Sequence, residues 1–238
     1  MLVSIAACGE PSGCEDTPSP PAERGARPAP ASTGPRTEAA RRAEAGAASP
    51  AALLSSAREA LASDDYEVLL ASIWPETRES WLLDLVVDLA VESTDHGAEP
   101  DWRRREARAE VRAILARHGA TISSRPEGLS PSTLGKELLG RVPDQVALYA
   151  DLLRFAGRAR APFDPTRALT GSAEPSVSAT PLLRLVDRLR SGAEIETRDG
   201  GVMDVPSDGP FAVFLVGQGG PGVLRMRAKD AAYWLDES

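Results

Sequence analysis

The sequence predicts an α+β fold, with N-terminal helices packed on a C-terminal antiparallel β-sheet and a disordered arm in front of both. Three observations carry that reading. From Gly9 to about Ser49 the chain is mainly Pro, Ala, Gly, Ser, Thr, Glu and Arg, without an aromatic or a large aliphatic residue to bury. Such a stretch cannot offset a backbone ordering cost of about 1–2 kcal/mol per residue. From 50 to 190 apolar residues recur at helical spacing, and from 193 to 238 short apolar runs alternate with turn residues. The predicted organisation is a signal-like segment over 1–8, a linker over 9–49 and one α+β domain over 50–238.

In chain order, Ser49-Pro50 supplies a cap followed by proline at the first helical position, and Leu53, Leu54, Ala57 and Leu61 form the buried side of the first helix. Asp64-Asp65 breaks it and starts a second, carrying Tyr66, Leu69, Leu70 and Ile73 as far as Pro75. The segment 76–93 is apolar around most of its circumference and is expected to be the buried spine; Asp84, Asp88 and Glu92 form its one polar stripe. A charged helix over 101–118 ends at Gly119 and turns Ala107, Val111, Ile114 and Leu115 inward, with Glu99–Arg103 and Asp101–Arg105 spaced as ion pairs. Further helices are expected over 132–139 and from Pro143 or Asp144 to Ala156, and 157–181 reads as a long loop. Leu182, Leu185, Val186 and Leu189 fit a helix, with a strand left open. Strands follow at 194–197, 202–205, 211–216, 223–227 and 233–235, with Gly217–Gly222 as a hairpin loop.

A net charge of −8 argues against a general nucleic-acid partner, which requires a basic face. No segment reaches the roughly 18 consecutive apolar residues of a membrane span. Both cysteines, Cys8 and Cys14, precede the predicted domain, so they offer it neither a disulfide framework nor a thiolate metal site. Ile5-Ala6-Ala7-Cys8 resembles a bacterial lipoprotein signal box. That resemblance implies lipidation at Cys8, attachment to the membrane through that lipid, and a cell-envelope location facing the periplasm or exterior. A charged n-region is missing and the apolar run is short, so a cytoplasmic chain with two free thiols stays open as the other reading. A flexible linker of about 40 residues would give a tether of roughly 35 Å.

Ala60-Leu61-Ala62-Ser63-Asp64-Asp65-Tyr66 with Trp74-Pro75-Glu76, and at the other end Val223–Arg227, Lys229-Asp230 and Tyr233–Asp236, resemble the opening and the final hairpin of nuclear-transport-factor-2-like (cystatin-like α+β) lipoproteins. The resemblance implies a curved sheet wrapped by helices, with a pocket used for ligands or partners. It covers the two ends of the domain and leaves 77–192 unaccounted for.

Candidate chemistry is sparse. Asp84, Asp88 and Glu92 place three carboxylates on one stripe, but no histidine lies in register, and a wet edge on a buried helix explains them. His96 and His118 both stand at helix ends, where His118 fits the helix dipole. Gly217-Gln218-Gly219-Gly220-Pro221-Gly222 lacks the following helix that a phosphate loop requires. Trp102-Arg103-Arg104-Arg105 is cancelled by neighbouring acids and reads as a solvated face with an anchoring tryptophan. No catalytic set, metal site or cofactor is implied. The leading expectation is a noncatalytic, lipid-anchored extracytoplasmic binding or structural domain with an unknown protein or small-molecule partner. Two alternatives stay open: a hydrolase- or isomerase-type enzyme using a carboxylate in its pocket, and a cytosolic interaction protein with a disordered arm.

Overall fold

The computed structural model describes residues 37–94, 102–121, 130–195, 205–216 and 222–237, and within them the fold is α+β as the sequence predicts. Residues 9–36 of the expected linker lie outside the described residues, as do Cys8, Cys14 and His96.

The remainder of that linker is structured. Thr37 caps helix α1 (Glu38–Glu44) by accepting from the Ala40 N–H at 3.2 Å. Ala40 is wholly buried, and α1 packs on α3 (Tyr66–Ala71). A side chain as small as alanine lets two helices approach closely, so a segment without large apolar residues still contributes to the core. The domain therefore includes residues from 37 onward, which composition assigns to the linker.

Local signals place the next helices where they were expected. Ser49 caps α2 (Pro50–Ala62), Asp65 caps α3 and Asp144 caps α7 (Gln145–Arg158), each side chain accepting from the N–H three residues on. Helix α4 (Pro75–Thr94) buries Trp81, Leu82, Leu85, Val86 and Leu89 and packs on α5 (Trp102–Arg117), α6 (Pro131–Leu139), α7 and α8 (Pro165–Thr170). Val91 faces out, and α7, buried from Val146 to Ala156 on most of its surface, shares the central position with α4. Gly135 makes the α4–α6 crossing close, since a Cβ there would stand 2.6 Å from Val87 and 2.7 Å from Leu83.

Two corrections follow for the region read as a loop over 157–181. Asp164 caps the short helix α8 inside it, and α9 (Thr180–Arg190) starts before its expected end. Residues 182–189 are helical, with Leu182, Leu185, Val186 and Leu189 on one buried face. Arg58 of α2 donates to the carbonyls of Leu189 (3.1 Å) and Ala193, so a cation closes the C-terminal end of α9.

The sheet is an antiparallel meander in the order β1 (Glu194–Ile195), β2 (Gly209–Val216), β3 (Gly222–Lys229), β4 (Ala232–Leu235). The strand expected over 202–205 falls mostly outside the described residues, and Val205 itself is not in a strand. Val213, Leu215, Leu224, Met226 and Leu235 line the inner face, and α2 and α9 pack on the strands. The free edge of β4 is stitched by paired backbone hydrogen bonds between Ala47 and Tyr233 (3.0 Å each way), and by Trp74 N–H to Leu235 O (2.8 Å) and Leu235 N–H to Ser72 O (2.9 Å). An exposed strand edge is thereby covered by N-terminal chain.

Asp230 and Ala231, at φ of +52° and +61°, form the two-residue turn between β3 and β4. Aspartate tolerates the left-handed region and alanine does not. Ala231→Gly is expected to raise stability by about 0.5–1 kcal/mol after the extra entropy of glycine in the unfolded chain. A higher urea midpoint with unchanged slope checks it.

Candidate functional site

Alternation along β2 and β3 sends one set of side chains to the core and the other to the outer face of the sheet. On that outer face Phe214 is 57% exposed, Val216 52% and Val223 41%. Phe214 and Val223 are cross-strand partners, so the three form one apolar end of the hairpin. Further along β3, Arg225 opposes Ala212, Arg227 opposes Pro210, and Lys229 follows. The outer face thus divides into an apolar end and a cationic end.

The cationic end is held by specific partners. The Arg227 guanidinium lies 5.1 Å from the centroid of the Trp74 ring, with the Lys229 ammonium at 5.9 Å, and Trp74 meets Trp234 edge to face at 5.2 Å. Arg227 Nε donates to Asp236 Oδ2 at 2.8 Å, and Thr77 of α4 donates to the other oxygen at 2.6 Å. Asp236 is almost completely buried, so its charge is matched by Arg227 and its second oxygen by a hydroxyl.

Beside Arg225 a cleft of about 340 Å³ opens between α9 and the sheet, lined by Pro181, Arg184, Arg188, Arg225 and Glu237. Glu237 accepts from Arg188 Nη1 through Oε2 and from the Arg225 backbone N–H through Oε1 at 3.1 Å. Arg184 has no ion-pair partner among the described residues. A second, open groove of about 360 Å³ runs between α4 and α6, with Glu76, Glu79 and Lys136 at its rim and Leu83 and Leu139 in its floor.

Two polar clusters tie helices together. His118 does more than meet a helix dipole: its Nε2 lies 3.0 Å from Asp151 Oδ2, while Arg154 bridges Asp151 Oδ1 (2.8 Å) and Glu67 (3.1 Å). The hydrogen bond with His118, then those from Arg154, hold the Asp151 carboxyl below the usual carboxylate range against the opposing effect of burial. Burial works against the charge of Arg154, and its bonds to Glu67 and Asp151 outweigh that, so its pKa is raised. The cluster joins α3, α5 and α7. In the second cluster, buried Asp164 accepts from the backbone N–H groups of Arg167 (2.9 Å) and Ser176 (2.7 Å) and from the Ser176 hydroxyl (2.8 Å), pinning the segment between α8 and α9.

The residues singled out from sequence are not brought together. Asp84 is exposed on α4 with Asp88 and Glu92 partly buried beside it; partial loss of water against the helix, then repulsion from Asp88, raises the Asp84 carboxyl. Among the described residues no group of three or more His, Cys, Asp or Glu side chains is arranged to hold a metal ion. Trp102 does not anchor its helix: it is 57% exposed, with the Arg103 guanidinium 5.5 Å from its ring. The glycine run 217–221, Glu99, Asp101 and Cys8 lie outside the described residues. Among the described residues no helix is long and apolar enough to cross a membrane.

The arginine cleft escapes a sequence reading because its members are far apart in the chain, and the hairpin face because Phe211–Val216 is apolar throughout, so the sequence does not mark which side stays exposed. No family model, curated protein or solved structure matches this chain.

Proposed function

We propose that this chain is a noncatalytic binding domain of the nuclear-transport-factor-2-like kind, held at the cell envelope by a lipid on Cys8, that takes a segment of a partner protein on the outer face of the β2–β3 hairpin. The exposed Phe214, Val216 and Val223 beside Arg225 carry the reading. Apolar side chains clustered at one end of a sheet face lose unfavourable contact with water when a partner covers them. The adjoining arginines select for acidic residues in that partner, because complementary charge adds specificity at an interface whose apolar centre supplies affinity.

The enzyme alternative has less support. The carboxylates with the most structural definition, Asp151, Asp164 and Asp236, spend their oxygens on the bonds that join helices, loop and sheet. Asp84, with its raised carboxyl, stands on an exposed helix face rather than in an apolar cavity.

Selection of displayed peptides against the full chain tests the docking face. The expected winners combine an aromatic or aliphatic anchor with Asp or Glu, and lose at least tenfold in affinity for Phe214→Ser. Winners that bind the variant equally well, or no winners at all, overturn it. The anchor is tested separately: cells expressing the chain from its native gene are expected to incorporate labelled palmitate, and Cys8→Ser to abolish it; unlabelled wild type removes the lipid from the proposal.

A further inference from the structure

We infer that the cleft between α9 and the C-terminal strand region is an oxyanion-binding site, built for a phosphate or carboxylate group, in which Glu237 acts as an internal occupant. Its described lining sets the guanidinium of Arg184 beside the Arg188–Glu237 ion pair and the Arg225 backbone N–H that also meets Glu237. In a chain of net charge −8 a local excess of positive charge is not the general background. Arg184 and Arg188 stand four residues apart on the same face of α9, a like-charge spacing that weakens a helix when nothing neutralises it.

The donor geometry fits an oxyanion. Glu237 is met at one oxygen by Arg188 and at the other by the Arg225 N–H, so a carboxylate is already recognised there by one guanidinium and one backbone donor. Both oxygens are committed, and the exposed guanidinium of Arg184 lines the same cavity of about 340 Å³ without an ion-pair partner among the described residues. That volume holds a phosphate or a small dicarboxylate beside Glu237 or in its place. Planar guanidinium donors suit the paired oxygens of either group. The cleft shares Arg225 with the hairpin docking face, whose apolar residues take no part in it, so Phe214→Ser and Arg184→Gln test the two readings separately.

Titration of the full-length protein with inorganic phosphate, and separately with glutarate, at constant ionic strength and followed by amide and arginine side-chain NMR, tests it. Saturable shifts at Arg184, Arg188 and the Arg225 N–H are expected. Arg184→Gln, an exposed position where folding is not at stake, is expected to weaken binding at least fivefold, and Glu237→Gln to tighten it by removing the internal occupant. Stronger binding of phosphate assigns the site to phosphoryl groups, and stronger binding of glutarate assigns it to carboxylates. Linear, unsaturable shifts with both anions, or affinities unchanged in Arg184→Gln, overturn the inference and leave the hairpin reading intact.

Discussion

Replacing Gly46 by alanine is expected to cost about 2–4 kcal/mol of unfolding free energy and to lower the melting temperature by roughly 10 °C. Gly46 has φ of +82°, a conformation that costs an L-residue about 1–2 kcal/mol, and a Cβ there would stand 2.6 Å from the Trp234 ring and 2.8 Å from the Ala232 methyl. The ring has little freedom to move. Its Nε1 donates to the Glu44 carbonyl at 3.3 Å and its face is engaged by Trp74. The overpacking cost therefore adds to the backbone cost. Gly192→Ala separates the two, because Gly192 also has positive φ (+68°) but a Cβ there meets nothing within 4 Å. It is expected to lose only the backbone contribution of about 1 kcal/mol. A Gly46→Ala melt that coincides with wild type would show that 37–49 is a tether after all and not part of the body.

The second large effect is expected at Asp236. Asp236→Ala removes the acceptor shared by Arg227 and Thr77, leaving a hydroxyl and part of a guanidinium with lost partners in a largely buried setting. Breaking one side of a buried pair costs about 3–5 kcal/mol; the partial exposure of Arg227, at 31%, places this case near the lower end, about 3 kcal/mol. Asp236→Asn retains an oxygen for Thr77 and is expected to lose about half as much. A double-mutant cycle with Arg227→Gln, read by urea denaturation, is expected to give a coupling of at least 1 kcal/mol. Additive losses would mean that the charge pair contributes nothing and that Thr77 alone accounts for the effect. Because Thr77 lies on α4 and Arg227 on β3, the same experiment measures how firmly the helical layer is tied to the sheet.

The helices with strong local signals were readable in the sequence. Capping by Ser49, Asp65 and Asp144 depends on residues three apart, so neighbours in the chain hold all the information needed, whereas the spacing of Leu182, Leu185, Val186 and Leu189 left a strand open until the structure showed a helix. The hairpin from Phe211 to Arg227 was readable for the same reason as the caps: two apolar runs near each other in the chain flank a run of turn residues.

What composition could not show was where a small residue finds a partner. Ala40 and Gly46 carry no hydrophobic signal, yet one is buried against α3 and the other lies under Trp234, because the apolar surface that covers them comes from elsewhere in the chain. Helix α8 was missed because a single cap and a proline, without an apolar stripe of several turns, look the same in a loop. Arg184 and Arg188 are ordinary residues on the wet side of an amphipathic helix; folding makes them a cleft by bringing Arg225 and Glu237 alongside. By itself, then, the sequence determined the class of fold, most of the helices and the hairpin, since these rest on local backbone preference and periodicity. Tertiary structure alone decided that 37–49 joins the core, how charges pair and which apolar side chains stay exposed, since those depend on long-range contacts that no local pattern encodes.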